Sequence, residues 1–150
     1  MLSLLALLFG SLTASPACEM RACSCISTTD PRPTVKASAA VFVGRVISVI
    51  GTSGDTGSQS PDGLPVFMDS VTVVAEKGWK GAPPDTVRAG IELTGPDCPT
   101  RFVPGRRYLM YTELRNGRYV VGPCTRTSPL DSEPAQNDLQ VLGRPTWTRP

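Results

Sequence analysis

The segment Val41-Phe-Val-Gly-Arg-Val-Ile-Ser-Val-Ile50 is dominated by β-branched residues, with one glycine near its middle. Branching at Cβ restricts rotamers in a helix and packs well on a pleated surface, so this segment predicts a strand, the strongest in the chain. Gly44 inside it predicts a bulge or a sharp coil, where a sheet turns a corner into a barrel. Working outward, Val66–Ala75 reads as a second strand, with Val71, Val73 and Ala75 on one face. Trp79-Lys80-Gly81 closes it, and Pro83-Pro84 bars helical continuation. Thr86–Thr94 alternates, with Val87, Ala89, Ile91 and Leu93 inward, the period of a half-buried strand. Arg107–Leu114 and Arg118–Gly122 are joined across Asn116-Gly117, the dipeptide that two-residue hairpins favour because both central positions take positive φ.

Around these strands lie short helical stretches and loops. Asp30-Pro-Arg-Pro33 is a turn or helix start, and the Ala-rich stretch Thr34–Ala40 has room for two turns of helix. Gly51–Gly63 is loop by composition. Leu130, Ala135, Leu139 and Leu142 trace one amphipathic helix, with Asp131 or Ser132 as its cap, Pro134 near its start and Gly143 just past its end. Residues 144–150 read as a frayed tail. Strands without βαβ alternation disfavour a parallel sheet. A small antiparallel barrel fits, because closure removes sheet edges in a chain this short.

The chain has 150 residues, a one-domain length, with 15 Pro and 14 Gly, which argues for short elements joined by many turns and excludes a long helical bundle. It has no histidine. That excludes Ser-His-Asp and Cys-His nucleophiles, His-ligated zinc and the usual neutral-pH general base. Asp97 near Cys98, or Glu113 beside Tyr111, are the only acid–base groups worth naming, and no metal motif or phosphate-cradling glycine loop supports them. The expectation is a protein that is not an enzyme and carries no cofactor or metal of its own. A formal charge of +2 is too small to announce a nucleic-acid partner.

Met1–Phe9 is apolar and uncharged, far shorter than the roughly 20 residues that cross a bilayer. Ser15-Pro16-Ala17 follows before Cys18, so residues 1–17 read as a secretory signal peptide and 18–143 as the exported domain, with a buried core helix as the alternative reading of the leader. Five cysteines, at 18, 23, 25, 98 and 124, include no Cys-x-x-Cys pair, which leaves structural staples as the preferred reading. Cys23 and Cys25 lie on the same side of an extended segment and suit two distant partners better than each other. Cys98 and Cys124 are the candidates downstream. Bridges of this span close loops of roughly 75 and 100 residues, each worth up to about 4 kcal/mol in the chain-entropy picture. Cys18 is the odd thiol, free, paired between chains or, as the minority alternative, lipid-anchored.

Taken in order, Cys23-Ser24-Cys25, Val41-Phe-Val-Gly-Arg-Val46, Trp79-Lys80-Gly81, Cys98 with Phe102, Gly105-Arg-Arg-Tyr-Leu109, Cys124-Thr-Arg-Thr127 and Asp138-Leu139…Leu142-Gly143 resemble the netrin-like module. Its best-known members are the N-terminal domains of the tissue inhibitors of metalloproteinases. The resemblance spans residues 23–143. It implies a five-stranded antiparallel OB-type Greek-key barrel with short flanking helices and two disulfides, Cys23–Cys98 and Cys25–Cys124. It also implies an inhibitory segment, Cys23-Ser24-Cys25. There Cys23 would chelate a partner protease's zinc through its α-amine and carbonyl oxygen, and Ser24 would enter the specificity pocket. Such chelation needs Cys23 to be the first residue of the mature chain. Cleavage after Ala17 leaves Cys18–Ala22 ahead of it and turns that amine into an amide.

The functional expectation is therefore a secreted, monomeric, non-catalytic protein-binding module whose partner is a zinc metalloprotease. A competing expectation is polyanion or oligosaccharide binding on a strand face rich in Arg101, Arg106, Arg107, Arg115, Arg118 and Arg126, with Glu113 almost alone against them. Tyr108, Tyr111 and Tyr119 are the only rings among those arginines and read as rim and core residues rather than stacking platforms. A structural accessory domain is the third.

Overall fold

A computed structural model describes residue 25 and residues 28–51, 69–92 and 101–150. Within these the order is α1 (Arg32–Ala37), β1 (Ala40–Ile50), β2 (Asp69–Lys80), β3 (Thr86–Ile91), β4 (Arg107–Arg115), β5 (Arg118–Val121), β6 (Ser128–Pro129), α2 (Glu133–Leu142) and β7 (Trp147–Thr148). Five of the strands close into a barrel in the order β1-β2-β3-β5-β4, with β4 returning to pair with β1. The β4–β5 hairpin turns at Asn116 (φ 50°) and Gly117 (φ 76°), both left-handed, as its dipeptide requires.

The expectation of a purely antiparallel barrel is corrected: β3 and β5 run parallel, Ala89 facing Tyr119 and Ile91 facing Val121. The reason is parity. Around a closed ring of five strands direction cannot alternate at every step, so one neighbouring pair must agree in direction. The fold is mostly β and mixed.

β1 is the hub. It pairs with β4 from Ala40 to Arg45 and with β2 from Val41 to Ile50. Its register against β2 shifts at Val41/Phe42, Val43/Gly44 and Val46/Ser48, so the corner expected at Gly44 is one of several. Both faces of its first half are buried, which explains the unbroken apolar run. Phe42 and Val46 enter the barrel interior with Val71, Val73, Val87, Ala89 and Met110. Val41 and Val43 point outward, joining Leu109 and Tyr111 beneath α2, which closes this second layer with Ala135, Leu139 and Leu142. Each fully buried Val or Leu contributes about 1.5–3 kcal/mol. Tyr108 fills one end of the interior against Phe102, ring centroids 4.8 Å apart. Its hydroxyl accepts from the Val103 N–H at 3.0 Å and donates to the Arg101 carbonyl at 3.2 Å.

Several boundaries differ from expectation. α1 starts at Arg32 and stops at Ala37, because Ser38 is extended and Ala40 is already paired in β1. β2 runs on through Trp79 to Lys80, since the buried start of β1 needs a partner there: Val41 faces Lys80. Residues 144–150 are not a frayed tail. Trp147 and Thr148 add a strand to β2, opposite Gly78 and Lys77. The Trp147 indole donates to the Gly81 carbonyl at 2.7 Å, and the Arg149 guanidinium stacks over its ring at 4.5 Å. Gly78 makes this possible, for a Cβ there would stand inside the Trp147 ring. Leu93 and Thr94 of the third expected strand, and most of the loop expected at 51–63, lie outside the described residues. No described helix is long and apolar enough to cross a membrane.

Candidate functional site

Of the expected inhibitory segment only Cys25 is described; Cys23, Ser24 and Cys98 lie outside the described residues, as do Cys18 and Asp97. Cys25 is bonded to Cys124, Cα atoms 5.3 Å apart across 99 positions of sequence. What holds Cys124 in place begins at the end of β5. The Thr125 hydroxyl donates to the Gly122 carbonyl at 2.8 Å and accepts from the Gly122 N–H at 3.2 Å, closing a tight turn around Pro123-Cys124. Two residues on, the Thr127 hydroxyl donates to the Tyr111 carbonyl and accepts from its N–H, at 3.1 and 3.0 Å, so one side chain stands in for a strand along the edge of β4.

Between these two threonines sits Arg126, in the left-handed region at φ 66°. That conformation costs a non-glycine residue roughly 1–2 kcal/mol and persists only where surroundings enforce it. Here they do. Its guanidinium donates from Nε to Asp138 Oδ2 and from Nη2 to Asp138 Oδ1, both at 2.7 Å. Asp138 is 1% exposed on the inner face of α2, and the Tyr111 hydroxyl donates to its Oδ2 at 2.8 Å. Desolvation and then the bond to Asp138 push the Tyr111 phenol well above its ordinary value, and the same carboxylate raises Arg126. The outer edge of the guanidinium faces the N-terminal segment: Nη1 donates to the Thr28 carbonyl at 2.5 Å and Nη2 to the Thr29 carbonyl at 3.2 Å. Cys25 is thus fastened by a disulfide, and Thr28 and Thr29 by the arginine of a buried ion pair.

This arrangement orders a peptide; it does not poise a proton. Asp138 has its charge matched and its oxygens occupied, and Glu113 accepts from Arg115 at 2.7 and 3.0 Å rather than meeting the Tyr111 hydroxyl. Among the described residues no group of three or more Cys, Asp or Glu gathers where a metal ion could be held.

The clustered arginines are less naked than their sequence neighbourhood implies. Arg106 pairs with Asp131 at 2.8 Å, lowering that carboxyl and raising its own guanidinium. Arg107 approaches Glu76, Arg115 bonds Glu92 as well as Glu113, and Arg126 is inside the clamp. Among the described residues Arg101 and Arg118 alone of that set have no carboxylate. The acids come from β2, from the residue after β3 and from α2 and its approach, which adjacency in sequence does not reveal. The clamp itself escaped the sequence reading. Its signal was Asp138, a charge set on the Ala135–Leu139–Leu142 stripe, where it needs a partner.

The chain matches no family model and no curated protein.

Proposed function

We infer that this chain is a secreted, non-catalytic binding module that offers the segment around Cys23-Ser24-Cys25 to a protein partner, in the manner of a metalloproteinase inhibitor. The ring order β1-β2-β3-β5-β4, closed by β1 and β4, supports an OB-type Greek-key barrel beneath it. The observation that carries the reading is the fastening of Cys25 by its disulfide and of Thr28 and Thr29 by Arg126, because backbone held before binding loses less conformational entropy on docking. The remaining residues fit this use: the carboxylates near the segment are spent on orientation, and the rival Arg-rich strand face is largely paired with acids.

In this reading Cys23, if it begins the mature chain, supplies an amine and a carbonyl oxygen to a partner's zinc, Ser24 occupies the adjoining pocket, and Cys23–Cys98 provides a second rivet. The test is N-terminal sequencing of the exported protein together with titration of a panel of zinc endopeptidases. A chain starting at Cys23 and blocking at least one of them stoichiometrically supports the reading. A chain with residues ahead of Cys23 removes amine chelation, and failure to bind any of the panel removes the inhibitor.

A further inference from the structure

A second surface of the same molecule is built from other residues than those of the clamp. α1 and the C-terminal end of α2 flank an open groove of about 400 Å³ whose floor is Val35, Trp79 and Leu142. Arg32, Lys36, Lys80 and Arg144 stand around it, and among the described residues no Asp or Glu lines it. Arg32 has its own acid, Asp30, at 3.4 Å. The other cations of this rim face no carboxylate among the described residues, unlike the arginines of β4.

The walls are fixed before anything binds. Lys80 Nζ donates to the carbonyls of Val35 and Lys36, at 2.9 and 2.7 Å, tying β2 to the end of α1. The Trp79 indole donates to the Gly143 carbonyl at 2.9 Å, tying β2 to the end of α2. These bonds hold the Trp79 ring as a half-buried platform. Val141, 40% exposed, extends the apolar surface outward. A held tryptophan with aliphatic neighbours and a rim of Arg and Lys is the composition of an interface anchor. The groove is open along its length, so it fits a side chain presented by a larger molecule better than a small molecule that must be enclosed. Uncompensated positive charge selects the sign of that molecule.

We propose that this groove docks an acidic peptide segment of a partner protein, which sets one bulky apolar side chain on Trp79 and Leu142 and its carboxylates against Lys36 and Arg144. The surface is separate from the Cys23-Ser24-Cys25 reading and stands or falls without it.

The probe is a fluorescein-labelled, end-blocked peptide with Leu-Phe at its centre and Asp and Glu on both sides, titrated into the exported protein by anisotropy and followed on its ¹H–¹⁵N spectrum. Saturable binding is expected, weakening as salt is added. It should shift the Trp79 indole N–H and the Lys36 and Arg144 amides. Lys36→Glu with Arg144→Glu, both exposed changes, should weaken it at least about tenfold, and so should Gly-Ser in place of Leu-Phe. Unchanged affinity in either comparison overturns the proposal, as do shifts confined to Arg101 and Arg118 or no saturation by about 1 mM peptide. A heparin oligosaccharide that shifts the groove residues while the peptide does not would also overturn it, in favour of a plain anion patch.

Discussion

Arg126 concentrates more of this protein's organisation than any other side chain. It holds a conformation unfavourable to it, neutralises the buried Asp138 and grips two carbonyls of the N-terminal segment. Removing one member of a buried pair leaves the other charge stranded, at a cost of about 3–5 kcal/mol. Asp138→Asn should therefore lower the urea midpoint sharply. Arg126→Lys should lose the two-pronged geometry and do nearly as much harm, although charge is kept. Tyr111 makes a pH prediction. The folded protein holds its phenolic proton more tightly than the unfolded chain, so its contribution is complete below about pH 10 and is lost as pH rises beyond that. Stability should fall on the alkaline side, and Tyr111→Phe should flatten that limb in chemical unfolding between about pH 9 and 11. At this level the sequence was barely legible. Asp138 passed as one residue of the α2 motif although it sits among that helix's apolar positions, and nothing local named as its partner an arginine twelve positions earlier, because a left-handed arginine has no sequence signature.

Among the elements, legibility followed how local the deciding interaction was. The Asn116-Gly117 hairpin was readable because its turn chemistry is contained in two residues, and Gly117→Val should cost more than about 1 kcal/mol by forcing a branched residue to positive φ. α2 was readable from its stripe. The C-terminal strand was not, since Trp147 is fixed by Gly78 and Gly81, far back in the chain. Gly78→Ala should drive the Trp147 ring off β2. The expected outcome is early proteolytic clipping after Trp147, with the barrel's amide protection kept, and chymotrypsin cleavage followed by mass spectrometry reads it directly. The length of β2 was likewise hidden, because only the partner it had to cover on β1 set where it ended.

For the molecule as a whole, the expectation of a closed barrel carried a contradiction with the word antiparallel that counting alone exposes: an odd ring must contain a parallel seam, here β3 against β5. The disulfide acts at this level too. Across 99 positions it restricts the unfolded chain by up to about 4–5 kcal/mol in the entropy picture. Yet it attaches a segment that lies outside the barrel. Reduction should lower the urea midpoint while leaving slow hydrogen exchange in β1 and β4 intact, with protection lost first at Gly122 and Thr125, the hydrogen-bonded amides of the turn that carries Cys124. Loss of protection throughout would mean that the barrel itself depends on the bridge.

The strand that begins the barrel also finishes it, and this sets a calendar for synthesis. β1 leaves the ribosome early but has one flank unclaimed until Arg107–Thr112 follows. The groups that seize the N-terminal segment, Cys124, Arg126 and Asp138, arrive later still. A nascent chain can therefore thread through a narrow passage without a finished cylinder resisting it. Any message broken off ahead of β4 yields a sticky half-ring, a natural client for quality-control proteases.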